Sequence, residues 1–329
     1  MILMLRIGIV GTGVMGAGHA RFIRDSVDGA EVSALFDIDQ NKVNQLADEL
    51  KTVTLRTSNV EDLMNSYEVD AIIIASPDNF HVQHLRLAIL SKKPTLCEKP
   101  LATNLDEARA VASEIKEYEK ACGKRMIHFG FMRRFDDAYR KARDLINSGN
   151  YGSPLYCRTT ARNVSSTGVT TSGLYTNIAV HDFDILRWLF KDEWVSVTSN
   201  YPKRSSLSPE GLNDPLVVIA KMKNGLMMVA DIFAFNNYGY DVRTEVICEK
   251  GSIEIGIHGD VITRSNRVAG VGKGGEMDEN WIPRFNDSYI AELRAWVQTI
   301  TTGKENSDLA TVEDALAANE VCALGVASI

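Results

Sequence analysis

Residues 7–16 read IGIVGTGVMG. Ile7, Ile9 and Val10 form a short apolar run that ends at Gly11, which reads as a buried strand, and the residues from Val14 onward read as a helix. Gly11, Gly13 and Gly16 fall in the spacing G-x-G-x-x-G across the turn between them. In a strand–turn–helix of this kind the first glycine makes the tight turn and the second lets the backbone approach a pyrophosphate. The third lets the helix pack close to the sheet. Phosphates then sit at the helix N-terminus, beside Val14 and Met15.

The pattern spreads outward from this turn. Apolar runs at 5–11, 31–37, 69–76, 94–99 and 125–131 alternate with segments of helical period at 14–26, 39–50, 59–66, 79–91 and 104–122. Strand, helix, strand, repeated, predicts an α/β domain: a doubly wound parallel sheet of the Rossmann type over residues 1–124. Ser58 with Glu61 reads as a capping box and Thr103 as the N-cap of the helix after it. Asp37 ends the second run, about 20 residues past Gly16, where a ribose-binding carboxylate belongs. Asp39 is better placed than Asp37 to cap the next helix, and Ile38 lies between them at the same site. No arginine follows in DIDQN (37–41), so the expected cofactor is NAD rather than NADP. His19, on the first helix, is expected to pack against the neighbouring chain rather than to act.

After residue 150 the rhythm changes. Segments 154–163, 194–202, 215–235, 240–256 and 260–265 read as strands, with KNG (223–225) and EKGS (249–252) as hairpin turns. This predicts an α+β domain over 125–329 with a largely antiparallel open sheet. Helices near 177–190, 286–302 and 311–327 would cover one face and leave the other for a partner. The glycine-rich AGVGKGGE (269–276) lacks phosphate-loop spacing and reads as a surface loop.

At 329 residues two domains are expected. Basic residues number 36 against 43 acidic ones, a net charge of −7, which disfavours nucleic acid or an anionic membrane as partner. The basic run FMRRFDDAYRKAR (131–143) is expected to be mostly a solvated helix face. Five scattered cysteines without a CxxC read as buried free thiols. The start has no basic leader and no apolar run reaches membrane length, so a cytoplasmic location is expected.

Two further stretches carry chemistry. CEKPLA (97–102) closes the fifth strand of the first domain, and ligands in parallel sheets bind beyond the carboxyl ends of the strands. Glu98 and Lys99 would project there. TNIAVHDFDILRW (176–188) sets His181 between Asp182 and Asp184, with Asn177 four residues upstream. A neutral imidazole suits proton abstraction from a secondary alcohol, and a lysine suits stabilisation of the alkoxide that develops. Asn177 could orient the ring through its carbonyl without supplying negative charge. His181 and Asp184 alone are too few ligands for a metal, and none is expected.

The glycine fingerprint, EKP near residue 100 and HDFDILRW past the midpoint together resemble the Gfo/Idh/MocA oxidoreductase family. GFMRRFD (130–136), YPKRS (201–205) and YGYD (238–241) look like its inositol 2-dehydrogenases. The resemblance implies an NAD-dependent dehydrogenase acting on a hydroxyl of inositol or a similar polyol, with Lys99 and His181 as active-site residues. It further implies that Arg133, Asn163, Asn177, Asp184 and Tyr240 contact the substrate. Ser76, Pro77, Asn79 and His81, in ASPDNFH (75–81), would line the nicotinamide and its ribose, with Glu98 and Lys99 nearby. The implied assembly is a homotetramer built on the free sheet face. Two positions depart from the family: Asn177 replaces the usual aspartate of D-x-x-x-H, and Ala161 stands where inositol dehydrogenases often carry a histidine. These departures keep two alternatives open, a dehydrogenase of another sugar or polyol and a non-catalytic NAD-binding regulator.

Overall fold

The computed structural model describes residues 4–256 and 277–329. The strand expected at 260–265 and the loop at 269–276 lie outside these residues.

The chain divides into two compact units, residues 1–135 with 287–319, and residues 136–286 with 320–329. This differs from a division at 124/125. One reason is that the strand at 127–130 closes the first sheet; another is that part of the C-terminal region returns to it.

In the first unit, β1 (Leu5–Val10), β2 (Ala30–Phe36), β3 (Leu55–Thr57), β4 (Ala71–Ile74), β5 (Thr95–Glu98) and β6 (Ile127–Gly130) form a parallel sheet in the order β3-β2-β1-β4-β5-β6. Helices α1 (Val14–Ser26), α2 (Gln40–Leu50), α3 (Val60–Asn65), α4 (His81–Ser91) and α5 (Leu105–Cys122) connect the strands. β3 was not evident from the sequence, because three residues give periodicity nothing to work on. All four residues of β4, AIII, are buried, as a strand with helices on both faces requires. Two expected caps shift by one residue. Asn59, not Ser58, accepts from the Glu61 N–H, and Asn104, not Thr103, accepts from the Glu107 N–H. Asp39 caps α2 as expected.

The helix expected over 286–302 is α8 (Trp281–Thr302). Its Leu293, Trp296 and Val297 lie in the core of the first sheet with Ile7, Ile9, Leu35 and Ile73, not on the second sheet. An apolar stripe says that a face is buried; it does not say against what. Ala310 bridges Phe129 on the edge strand β6, its carbonyl accepting the Phe129 N–H at 3.0 Å.

The second unit holds β7 (Pro154–Arg162), β8 (Trp194–Asn200), β9 (Leu216–Met222), β10 (Met227–Phe233), β11 (Asp241–Cys248) and β12 (Gly251–Ile255). Their order is β12-β11-β7-β10-β9-β8, and every pairing is antiparallel except β7 with β10. Local turns announce the hairpins, whereas this one parallel pair joins strands far apart in sequence. One face is buried, with Cys157, Ala161, Val218, Ala230 and Val246 on it. Helices α6 (Asp137–Asn147) and α7 (Val180–Phe190) belong to this unit, tied to the strands by Tyr139 with Thr244 at 3.0 Å and by the Trp194 indole donating to the Phe183 carbonyl at 3.0 Å. The opposite face carries one row that runs Glu254, Glu245, Arg158, Val229, Ile219 and Thr198 across all six strands. The last helix, α9 (Val312–Val326), is shared by sequence between the units.

The run 131–143 is less solvated than expected. Met132–Phe135 is a buried 3-10 turn in which Arg134 pairs with Asp314 at 3.0 Å. Asp136, also buried, caps α6 and accepts from Arg284 at 2.6 Å. Burial is tolerated because these charges are matched. All five cysteines are free, four buried and Cys122 exposed. Among the described residues no helix is long and apolar enough to cross a membrane, and no group of three or more metal-ligating side chains occurs.

Candidate active site

The strand order reverses beside β1, between β1 and β4, and the glycine turn lies at the carboxyl end of β1 there. Gly11 adopts φ +97°, and a Cβ on it would lie 2.6 Å from the Ala75 carbonyl oxygen. A Cβ on Gly16 would fall 1.8 Å from the Gly11 carbonyl oxygen, so α1 can start this close to the turn only with glycine at that position. Gly13 is different. Its φ of −68° is ordinary, and a Cβ would meet nothing within 4 Å. Among the described residues no atom outside the turn fills that space, as a bound pyrophosphate would require. Val14 is 65% exposed beside it, with Met15 half-buried.

Asp37 is built into the same turn. Its Oδ2 accepts from the Thr12 N–H at 2.8 Å and the Thr12 hydroxyl at 3.0 Å, and its Oδ1 accepts from the Asp39 N–H at 3.0 Å. Burial works against ionisation, but these donors and Lys42 hold the carboxyl below its ordinary value. A carboxylate has about four lone-pair sites, so capacity remains for a ligand hydroxyl. Ile38 is 85% exposed next to it, an apolar surface left open among the described residues.

The loop after β4 is held by two histidines of α4. Ser76 Oγ lies 2.9 Å from His84 Nδ1. His84 is packed between Phe80, stacked at 6.0 Å, and the edge of Phe36. Burial, with repulsion from His81, pushes its pKa down to about 4. His81 does not line an open site as expected. It is fully buried, with Nδ1 2.7 Å from the Pro100 carbonyl oxygen and Nε2 2.9 Å from that of Ser76. Both nitrogens are engaged by backbone, so the ring has none to offer a ligand; the exposed members of the loop are Pro77, Asn79 and Phe80. His19 is also buried, and its Nε2 lies 2.8 Å from Glu98 Oε1. That partner is a specific carboxylate, more than the packing role expected. Lys99, half-buried, is the first residue beyond β5.

Arg133 is buried in the 3-10 turn of the first unit. In the second unit Asn163 and Tyr240 sit side by side at one sheet end, because Arg162 and Asp241 are paired across β7 and β11. Asn163 donates from Nδ2 to Ser166 Oγ at 2.8 Å, and the Tyr240 N–H donates to the Asp278 carbonyl at 2.7 Å. His181 and Asp184 lie in the first turns of α7, His181 half-buried and Asp184 buried. Asn177 belongs to a π-helical turn, Leu174–Ala179, that leads into α7. An i→i+5 turn rotates each residue differently from an α-turn, so a four-residue spacing no longer stacks Asn177 on His181. Asn177 is exposed and its side chain makes no hydrogen bond among the described residues, so the expected support of the imidazole is not made. Ala161 is 1% exposed on the buried sheet face, where a histidine would lie in the core.

Residues 5–125 match the oxidoreductase family with an NAD-binding Rossmann fold, and residues 139–254 match the GFO/IDH/MocA C-terminal domain. Inositol 2-dehydrogenase 1 of Saccharopolyspora erythraea is 34% identical over 302 residues, covering 91% of this chain and 87% of the relative. Inositol 2-dehydrogenase of Streptomyces avermitilis is 35% identical over 325 residues, covering 98% and 91%. Among solved structures, myo-inositol dehydrogenase from Lactobacillus casei in complex with NAD(H) and myo-inositol superposes with a TM-score of 0.89 at 26% identity, over 99% of this chain and 94% of that one.

Proposed function

The chain belongs to the Gfo/Idh/MocA oxidoreductase family, with NAD as its cofactor, and from that premise we propose that it oxidises a secondary hydroxyl of inositol. The observation that carries the substrate class is the near full-length similarity to inositol 2-dehydrogenases at 34–35% identity. NAD, when bound, accepts the hydride from the carbinol carbon. The glycine turn, with Val14 and Met15, holds the pyrophosphate, and Asp37 with Ile38 receives the adenosine end. Ser76, Pro77, Asn79 and Glu98 hold the nicotinamide end. His81 supports them from beneath.

His181 takes the hydroxyl proton, and the Lys99 ammonium holds the same oxygen as negative charge develops on it. Arg133, Asn163, Asp184 and Tyr240 bind the remaining hydroxyls. Asn177, exposed and without a hydrogen-bond partner among the described residues, offers its amide to the polyol. The enzyme works as a homo-oligomer, a tetramer by family resemblance, with the open face of the second sheet as its interface.

The test is NADH formation from myo-inositol, scyllo-inositol, D-chiro-inositol and glucose. Turnover with an inositol is expected, and His181→Ala should lower kcat by roughly 10²–10⁴-fold. Lys99→Ala should be similarly impaired. Turnover of glucose alone would favour a different sugar, a reading that the buried Ala161 motivates. NAD binding without turnover of any polyol would identify a regulator.

A further inference from the structure

Lys99 is bracketed by two buried histidines that the mechanism above does not use as ligands. On one side the Glu98 carboxylate lies 2.8 Å from His19 Nε2; on the other the Pro100 carbonyl oxygen lies 2.7 Å from His81 Nδ1. His19 is 1% exposed and His81 fully buried. His19 comes from α1, the helix that opens at the glycine turn, and is set edge-on to Tyr289 at 5.9 Å. His81 comes from α4 and grips Ser76 with its other nitrogen, at 2.9 Å. Glu98 is further confined by β6, where a Cβ on Gly130 would stand 3.1 Å from its Oε2. The backbone before and after Lys99 is therefore fastened to the helices that carry both cofactor-binding loops.

A lysine at a strand end ordinarily wanders, since its side chain has four rotatable bonds and nothing fixes its root. Fixing the Cα from both sides halves that problem. Misplacement of a reacting group by about 1 Å can cost on the order of 10²-fold in rate. We infer that His19 and His81 are positioning residues for Lys99, holding Glu98 and Pro100 so that the ammonium is presented in one place. Burial of Glu98 opposes its charge, and the His19 contact, with Lys99 and His81, keeps its carboxyl below the ordinary value, which agrees with a held anion.

The inference rests on the role proposed for Lys99. It is tested with His19→Ala, His19→Gln, His81→Ala and Lys99→Ala in the full chain. His19→Ala and His81→Ala should each lower kcat by roughly 10- to 100-fold, with the polyol KM changed by less than about threefold; His81→Ala, which also releases Ser76, should weaken NAD binding in addition. His19→Gln keeps a donor to Glu98 and should recover most of the loss. A second readout needs no cofactor: amide hydrogen exchange over 97–103 should quicken in both alanine variants of the nucleotide-free protein. Unchanged kcat and exchange, or a loss carried by KM or NAD affinity alone, overturns the inference while an inactive Lys99→Ala leaves the lysine's role standing. Full activity in Lys99→Ala would bring down the underlying reading instead. If His81→Ala does not fold, the two His19 variants decide.

Discussion

His84 shows how one buried side chain ties stability to pH. Its folded-state pKa, about 4, lies below the ordinary 6.5. Between those values the unfolded chain binds a proton that the folded ring refuses, so stability is complete above pH 6.5 and falls as the pH drops towards 4. The loss is of order 2 kcal/mol after allowance for solvent screening. His84→Gln keeps a polar partner for Ser76 without titrating, and thermal unfolding of the two proteins from pH 7 to pH 4.5 should show a shallower acid limb in the variant. Asp37 makes a second residue-scale case. If Asp37 receives the ribose as proposed, NAD affinity should fall roughly 10- to 100-fold in Asp37→Ala, the worth of a hydrogen bond to a charged group. Discrimination against NADP should narrow at the same time, as the ratio of KM values for the two nucleotides would report. Equal discrimination before and after would remove Asp37 from the specificity determinants.

At the scale of the element, the turn from β1 into α1 separates folding from binding. Gly16→Ala forces a Cβ onto the Gly11 carbonyl and should destabilise the unit by about 1–3 kcal/mol, as overpacking does. Gly13→Ala enters open space at an ordinary φ, so its melting temperature should hardly move while NAD binding is lost. A matching drop in stability for both variants would contradict this division of labour. The same turn was fully legible in the sequence, because its spacing is dictated by close approach of backbone. Asp39 was legible too, as the cap of α2. Other features left no such mark. Asn104 wins the cap from Thr103 by one residue, a matter of where the backbone turns. The π-turn at 174–179 has no sequence signature, and it undoes the expected contact of Asn177 with His181. His19 read as a helix residue and His81 as a member of the loop lining the nicotinamide, and their partners Glu98 and Pro100 lie 79 and 19 residues away.

For the whole molecule, the open face of the second sheet is the feature with consequences for assembly. Ile219 and Met227 are each 38% exposed there, flanked by charged residues of both signs such as Arg158 and Glu245. Two copies meeting on such a face would bury Ile219, Val229 and Met227 and pair the charges. On the proposed homo-oligomer, Ile219→Lys combined with Val229→Glu should therefore reduce the mass measured by sedimentation while NAD binding persists; an unchanged mass would rule this face out as the interface.

The first unit is also discontinuous, and this bears on how the chain is made. Trp296 and Leu293 belong to the same core as Ile7 and Ile9, yet they are synthesised almost the whole chain later. At about 5–20 residues per second, the roughly 150 residues between Phe135 and Asp287 take on the order of ten to thirty seconds to synthesise. For that interval the nascent nucleotide-binding half carries an uncovered apolar surface and an unbridged edge at β6. The stretch Asp136–Asn286, all of the second unit except residues 320–329, can begin to condense while it waits. A chain halted before Asp287 is thus expected to present this protein's most chaperone-dependent form.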